Sequence, residues 1–300
     1  MSQAARSVQD YWDSQLALLR ELPRALEADE PDSLHDLRAA GRRSKATLRA
    51  FRPLLRPKLI GQVIPELDWF NSELGEARDA EVIHEELAEL FAGHPQAQPV
   101  LDDWAGRRDA LRARAMEMVA GDRAALLMEK LDSLVTQPWR RSVRRSGKGP
   151  GTKQILARAG WAERRVGKAW RQVDDDPGEH TAGLHRVRRR AKAARYVYES
   201  VADSDSAATE KVDHYAQLSQ LLGVVQDAVI VERALTPYPA ELAEIALDQL
   251  HRKAAQAEEQ ARTEQFAAGA HRQSELVAQA DRSTDDQDFV EAISVPWDDD

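Results

Sequence analysis

The chain has 300 residues, 42% of them hydrophobic and 31% charged, with no cysteine and a formal net charge of −9. This composition fits a water-soluble helical protein of one large or two medium domains, and the missing cysteine excludes disulfides and thiolate metal sites. No apolar run has the length of a membrane span or a signal-peptide core, so a reducing cytoplasm is the expected compartment and no membrane partner is expected.

Residues 4–28 read as an amphipathic helix with Val8, Tyr11, Trp12, Leu16, Leu19 and Leu22 at three- and four-residue steps. Pro23 is expected to kink or end it. A break at Asp29–Ser33 supplies Asp32 or Ser33 as a cap. A second helix then runs to Arg52, before Pro53. A third covers about 62–91, and Gly93, Pro95 and Pro99 mark a loop. A fourth runs from about Val100 to Val119, and Gly121-Asp122 opens a shorter one ending near Thr136. Residues 138–153, rich in glycine and arginine, read as a solvated linker; the alternative is a basic strap that adds to anion binding. Beyond it, helices are expected at about 154–173, over a basic stretch around His185, from about Thr209 past Asp227, from Pro239 to about Gln265, and a shorter one from Ala267 to Ala280. The acidic tail 281–300 is expected to be disordered, with Phe289, Ile293 and Trp297 as a short partner-binding segment. No period-2 run calls for a strand, so the fold class is all-α. Trp69, Trp104, Trp139, Trp161 and Trp170 are expected in packing roles.

The charge is unevenly spread. From His35 to Ile60 there are eight bases and one acid, Asp36; from Arg140 to Arg171 there are eleven bases and one acid, Glu163. At helical spacing His35, Arg38, Arg42, Lys45, Arg49 and Arg52 fall on one face, opposite Leu37, Ala40, Leu48 and Phe51. The pattern recurs about 150 residues later as His185, Arg188, Lys192 and Arg195, with Arg189 and Tyr196 beside them. Each copy is followed by a second match: Leu74-Gly75-Glu76-Ala77-Arg78-Asp79 and Leu222-Gly223-Val224-Val225-Gln226-Asp227. Two motifs, in order and in duplicate, indicate an internal repeat.

These motifs resemble the CHAD domain, the conserved histidine α-helical domain, over residues 5–280. The resemblance implies a first repeat at about 5–137, a linker at 138–153 and a second repeat at 154–280. It implies two antiparallel helical bundles related by a pseudo-two-fold axis, a basic central pore or groove, and binding of inorganic polyphosphate. The Glu-x-Glu-x-Lys signature of the triphosphatase domain fused to some members is not found in this sequence.

Polyphosphate is a line of anionic oxygens, and arginine forks and lysine point charges on two facing helices would match it. The expected binding residues are His35, Arg38, Arg42, Arg43, Lys45, Arg49, His185, Arg188, Arg189, Lys192, Arg195 and Tyr196. Arg52, Arg108, Arg112, Arg164 and Lys168 are additional candidates. Both histidines are placed at helix N-termini, where the dipole favours anions. Asp79 and Asp227 are read as orienting carboxylates, and Gly75 and Gly223 as points of close helix approach. Three departures stand out: Gly41 within the basic helix, Ser44 at an apolar position, and Gln226 where the first copy has Arg78. No catalytic constellation, cofactor or metal site is identified. The leading expectation is a non-enzymatic polyphosphate binder, in the cytoplasm or at polyphosphate granules. A metal-dependent phosphohydrolase or phosphotransferase using the histidines and Asp79 or Asp227 is one alternative; a nucleic-acid-binding protein is the less favoured other.

Overall fold

The computed structural model describes residues 1–143 and 149–280, with residues 177 and 266–280 by backbone alone. Among these there are nine α-helices and no strand: α1 (Gln3–Glu27), α2 (Ser33–Phe51), α3 (Pro57–Leu90), α4 (Gln98–Ala120), α5 (Asp122–Thr136), α6 (Thr152–Asp175), α7 (His180–Glu199), α8 (Ala208–Leu235) and α9 (Ala240–Ala280). Helices α1–α5 form one bundle and α6–α9 the other. Helices at equivalent places in the two repeats also meet: α1 with α6, α2 with α7 and α3 with α8.

Local chemistry explains most boundaries. Ser2 caps α1, its hydroxyl accepting from the Ala5 amide at 3.2 Å. Pro57 and Pro177 sit at starts, where a missing N–H costs nothing. Pro23 does not end α1, which runs on to Glu27. Leu19 and Leu26 on either side are buried, and their packing outweighs the lost backbone bond. Asp32 occupies the N-cap of α2 with a left-handed φ of 58° and makes no side-chain cap bond, unlike the expected cap. The region past Pro239 is one helix, α9, rather than two.

The apolar residues form two clusters. The larger joins the bundles through Trp12, Phe51, Phe70, Trp170 and Tyr215. The smaller holds Ile83, Leu87, Phe91, Trp104, Val231 and Leu250. On α3 the clusters change over between Ala77 and Ala80, and on α8 between Leu222 and Ala228. Those same turns carry Arg78, Asp79, Gln226 and Asp227. The cores are therefore separated by a polar layer common to both repeats.

The expected solvated linker is anchored where the structure describes it. The Arg56 amide donates to the Pro138 carbonyl at 2.9 Å and the Arg140 amide to the Leu54 carbonyl at 3.0 Å. Trp139, 4% exposed, lies 5.5 Å from Trp12 between ring centroids. Gly149, with φ 116°, fits against the same ring, and Pro150 accepts from the Ser2 hydroxyl at 2.9 Å. Arg144, Arg145 and Lys148, the middle of the proposed strap, lie outside the described residues, as does the tail 281–300.

An anchored junction should show in stability. Trp139→Ala is expected to lower unfolding free energy by about 3–5 kcal/mol, as for a buried aromatic truncated to alanine. Exposed Arg140→Ala should leave it nearly unchanged. Urea midpoints of the two variants check this; equal midpoints would return the segment to a loose linker.

Candidate functional site: a basic cavity between the repeats

Helices α2 and α7 pack against each other with their basic faces turned into the polar layer. A cavity of about 550 Å³ opens there, with α3 and α8 as its other walls. From α2 it receives His35, Arg38, Arg42 and Arg43; from α7, His185, Arg188, Lys192, Arg195 and Tyr196. Asp79 and Asp227 line it from α3 and α8. Asp79 keeps 46% of its side chain exposed, so water reaches the cavity.

The lining contains seven lysine and arginine side chains and two carboxylates. Three of the seven are satisfied at the rim. Arg43 and Arg195 share Glu199, at 3.5 and 2.8 Å, and Arg78 pairs with Glu81 at 3.0 Å. The other four are Arg38, Arg42, Arg188 and Lys192. Arg38 meets Asp79 at 3.2 Å. Among the described residues Arg42, Arg188 and Lys192 have no carboxylate within ion-pair distance. The Nε atoms of Arg38 and Arg188 are cut off from solvent without an acceptor. These are donors held in place with nothing to donate to.

Proton affinities follow from that crowding. Burial, then Arg188, Arg42 and Arg38, push the Lys192 ammonium from 10.5 down to about 7, against the pull of Asp227. Burial raises the Asp227 carboxyl, with the neighbouring Asp79 adding to it and Arg188 and Lys192 opposing. Burial also holds both imidazoles below the ordinary histidine value; Arg78 adds to the effect at His35. At His185 a bond from Nδ1 to the Gln226 side-chain oxygen opposes it, and Arg189 and Arg188 reinforce it.

Two glycines act differently from expectation. A Cβ at Gly75 would lie 3.4 Å from the Arg38 guanidinium, and one at Gly223 would lie 3.4 Å from that of Arg188. Either Cβ would sit in ordinary contact with a guanidinium and with no other helix's backbone, so neither glycine marks a point where helix backbones meet. Gly41 is the close approach: a Cβ there would come 2.8 Å from Asn71 Oδ1 on α3. Ser44 is buried in the α2 interface.

Several expected residues fall outside the cavity. Lys45 and Arg49 continue the α2 face but bind Asp68 on α3. Arg38 to Arg49 spans about 16 Å of helix, which carries the stripe past the cavity. Arg52, Arg164, Lys168 and Arg189 are exposed and do not line it. Arg108 is held by Asp109, and Arg112 by Asp29 and Glu81. His35 lies in the first turn of α2, but α7 begins at His180, so His185 is more than a turn inside its helix. The dipole argument applies to His35 alone. Arg78, Gln226 and Glu199 are additions. Arg78 and Gln226 stood in the repeated motif; Glu199 carried only the weak signal of its four-residue spacing from Arg195.

The CHAD domain profile matches residues 11–236. The chain belongs to the CHAD domain family. Two curated relatives from Mycobacterium tuberculosis, uncharacterized proteins MT2285 and Rv2226, are each 31% identical over 217 residues, 69% of this chain. The chain spans 40% of the length of each. PptA from Streptomyces chartreusis superposes with a TM-score of 0.67 at 22% identity, covering 88% of this chain and 98% of that one. The CHAD domain from the plant Ricinus communis gives 0.65 at 22%, covering 85% and 88%. These two share the fold. An antitoxin MazE-like profile matches residues 260–300, and antitoxin MazE of Mycolicibacterium smegmatis is 60% identical over 35 residues, 12% of this chain and 51% of that protein.

The depressed Lys192 makes ligand-free stability pH-dependent. In the unfolded chain the lysine keeps its proton up to about pH 10, whereas in the folded chain it loses it near pH 7. Between these values the unfolded state binds more protons, so this group makes stability rise with pH. Lys192→Met is expected to be more stable than wild type at pH 6, with the gap narrowed by pH 9 and closed only above about pH 10. Urea unfolding at the two pH values checks the sign; a gap that widens with pH would refute it.

Proposed function

We propose that the protein binds inorganic polyphosphate in this cavity, as a binding protein and not as an enzyme. The observation that carries the reading is the convergence of Arg38, Arg42, Arg188 and Lys192 around only two carboxylates, with guanidinium Nε atoms lacking acceptors. A chain of phosphates supplies acceptors at close spacing and neutralises all four cations. Arginine forks bind its oxygens in pairs, while Lys192 adds a point charge. An approximate two-fold relation between the repeats would present the chain with similar donors from both sides. A duplex nucleic acid is too wide to enter a cavity of about 550 Å³. Asp79 is engaged by Arg38, in keeping with an orienting role. Among the described residues no three histidine or carboxylate side chains are grouped as a metal site, and no helix is long and apolar enough to cross a membrane. In this reading the protein acts in the cytoplasm or at polyphosphate granules.

The test is a titration with long-chain polyphosphate. Affinity should fall steeply as salt rises, because several bound cations replace released counterions. Arg42→Glu and Lys192→Glu should each weaken binding by about tenfold or more, since a charge-assisted contact is lost and repulsion added. Exposed Arg52→Glu should change it little. Binding should weaken as pH rises through about 7, where Lys192 loses its proton, and Lys192→Arg should flatten that decline. Salt-independent binding, or reversals without effect, would remove this reading. Phosphate release by purified protein would replace it with the enzymatic one.

We also infer that residues 260–300 serve as a partner-binding segment, on the strength of the antitoxin similarity. The full chain is expected to capture a toxin of the kind that antitoxin MazE neutralises, and a chain ending at residue 280 to lose it. Equal capture by both would refute the assignment.

A further inference from the structure

The arginines left out of the cavity are not scattered. On the other side of α7 the indole of Trp161 on α6 is flanked by two guanidiniums, Arg158 at 4.3 Å and Arg165 at 5.0 Å from the ring centroid. Arg158 is only 7% exposed, and its Nε donates to the Ala50 carbonyl at the end of α2 at 2.6 Å. That bond ties α6 to α2 and fixes the ring. Arg165 Nε is cut off from solvent with no acceptor, the same condition as Arg38 and Arg188 Nε in the cavity. Across from it, α7 presents Arg190, which feels Arg165, Arg189, Arg49 and Arg186 together and is pushed below the ordinary arginine value mainly by burial.

The acids in reach are already committed. Asp68 holds Lys45 and Arg49. Glu179 reaches Arg186 at 3.9 Å, and Glu163 binds Tyr198 and Lys211. Among the described residues Arg165, Arg189 and Arg190 have no carboxylate within ion-pair distance. On α7, Arg186 and Arg190 stand about 160° around the helix from the centre of the His185, Arg188, Lys192 and Arg195 face, and Arg189 about 80° from it, at about 100° per residue. This surface is therefore separate from the cavity.

We propose that the face built by Arg165 and Arg190 around Trp161, with Arg189 at its edge, is a second polyphosphate-binding surface, turned away from the cavity. The proposal rests on the polyphosphate reading of the cavity. Inorganic phosphate is favoured over nucleic acid because the aromatic ring that could stack a base is already occupied by two guanidiniums. With two anion surfaces on one rigid helix, a single molecule holds two stretches of chain at once. Long polyphosphate is then cross-linked rather than merely coated.

The experiment is calorimetric titration of the full chain with tripolyphosphate, beside light scattering with long-chain polyphosphate. Wild type is expected to saturate two sites and to scatter strongly. Arg165→Gln/Arg190→Gln should saturate one site, keep the cavity affinity within about twofold, and lose most of the scattering. If that variant is unfolded by its melting curve, exposed Arg189→Gln should show the same direction of change. One site in wild type and variant alike overturns the second surface and leaves the cavity reading standing. No tripolyphosphate binding by wild type overturns the cavity reading. Two sites retained in the variant, with loss of single-stranded RNA binding, would give this face to nucleic acid and overturn the proposal.

Discussion

Four cations meet where α2 crosses α7, and the fold is arranged around the cost of keeping them together. Repulsion among Arg38, Arg42, Arg188 and Lys192 grows as water is excluded, because the effective dielectric falls. A continuous apolar core across this level would bury them unpaired, a cost that packing does not recover. The apolar residues instead divide into two clusters, above and below. Asp79 and Asp227 enter from α3 and α8 between the clusters, one from each repeat. The Arg38 and Arg188 guanidiniums lie against α3 and α8 beside Gly75 and Gly223. Each feature follows from placing like charges in the interior, and without that requirement none has an evident purpose.

The two repeats meet the requirement differently. In the first, Arg78 stands beside His35 and is itself held by Glu81. In the second, Gln226 takes that place and binds His185. Asp79 is half-exposed and paired with Arg38, whereas Asp227 is more deeply buried and raised in proton affinity. One rim is closed by Glu199, which accepts from Tyr11 at 2.7 Å and from Arg195 at 2.8 Å, and approaches Arg43. The equivalent position in the first repeat, about 150 residues earlier, is Arg49, a base that faces Asp68 instead. On the polyphosphate reading, a chain of phosphates in the cavity would meet a neutralised rim at one end and more open cations toward the other.

The helices and the pairing of the repeats were legible because each rests on local periodicity or on order along the chain. The angular position of the basic faces was legible too: His35, Arg38 and Arg42 share the cavity, as do His185, Arg188, Lys192 and Arg195. Axial position was not. Lys45 and Arg49 lie at the right angle but too far along α2, and only the placement of Asp68 on α3 reveals that they are spoken for. Trp139 was legible as a packing residue, yet its glycine- and arginine-rich setting reads as solvent-exposed; the bond from the Arg56 amide to Pro138 is a tertiary fact. Pro23 shows the same limit from the other side, since burial of Leu19 and Leu26 overrides a local breaker.

The equivalence of Arg42 and Lys192 bears on how an empty site survives. An arginine stays charged across the physiological range, so a site of four arginines would carry its full repulsion whenever it was unoccupied. A lysine in the same place can release its proton, and with its affinity lowered to about 7 it does so partly at neutral pH. The empty cavity thereby sheds repulsion that arginine would retain. An arriving polyanion reverses the balance by favouring the charged form, and a proton is taken up with it. The lysine thus exchanges some affinity at alkaline pH for a more stable empty state. On the polyphosphate reading, the protonation of Lys192 couples occupancy of the cavity to the stability of the fold.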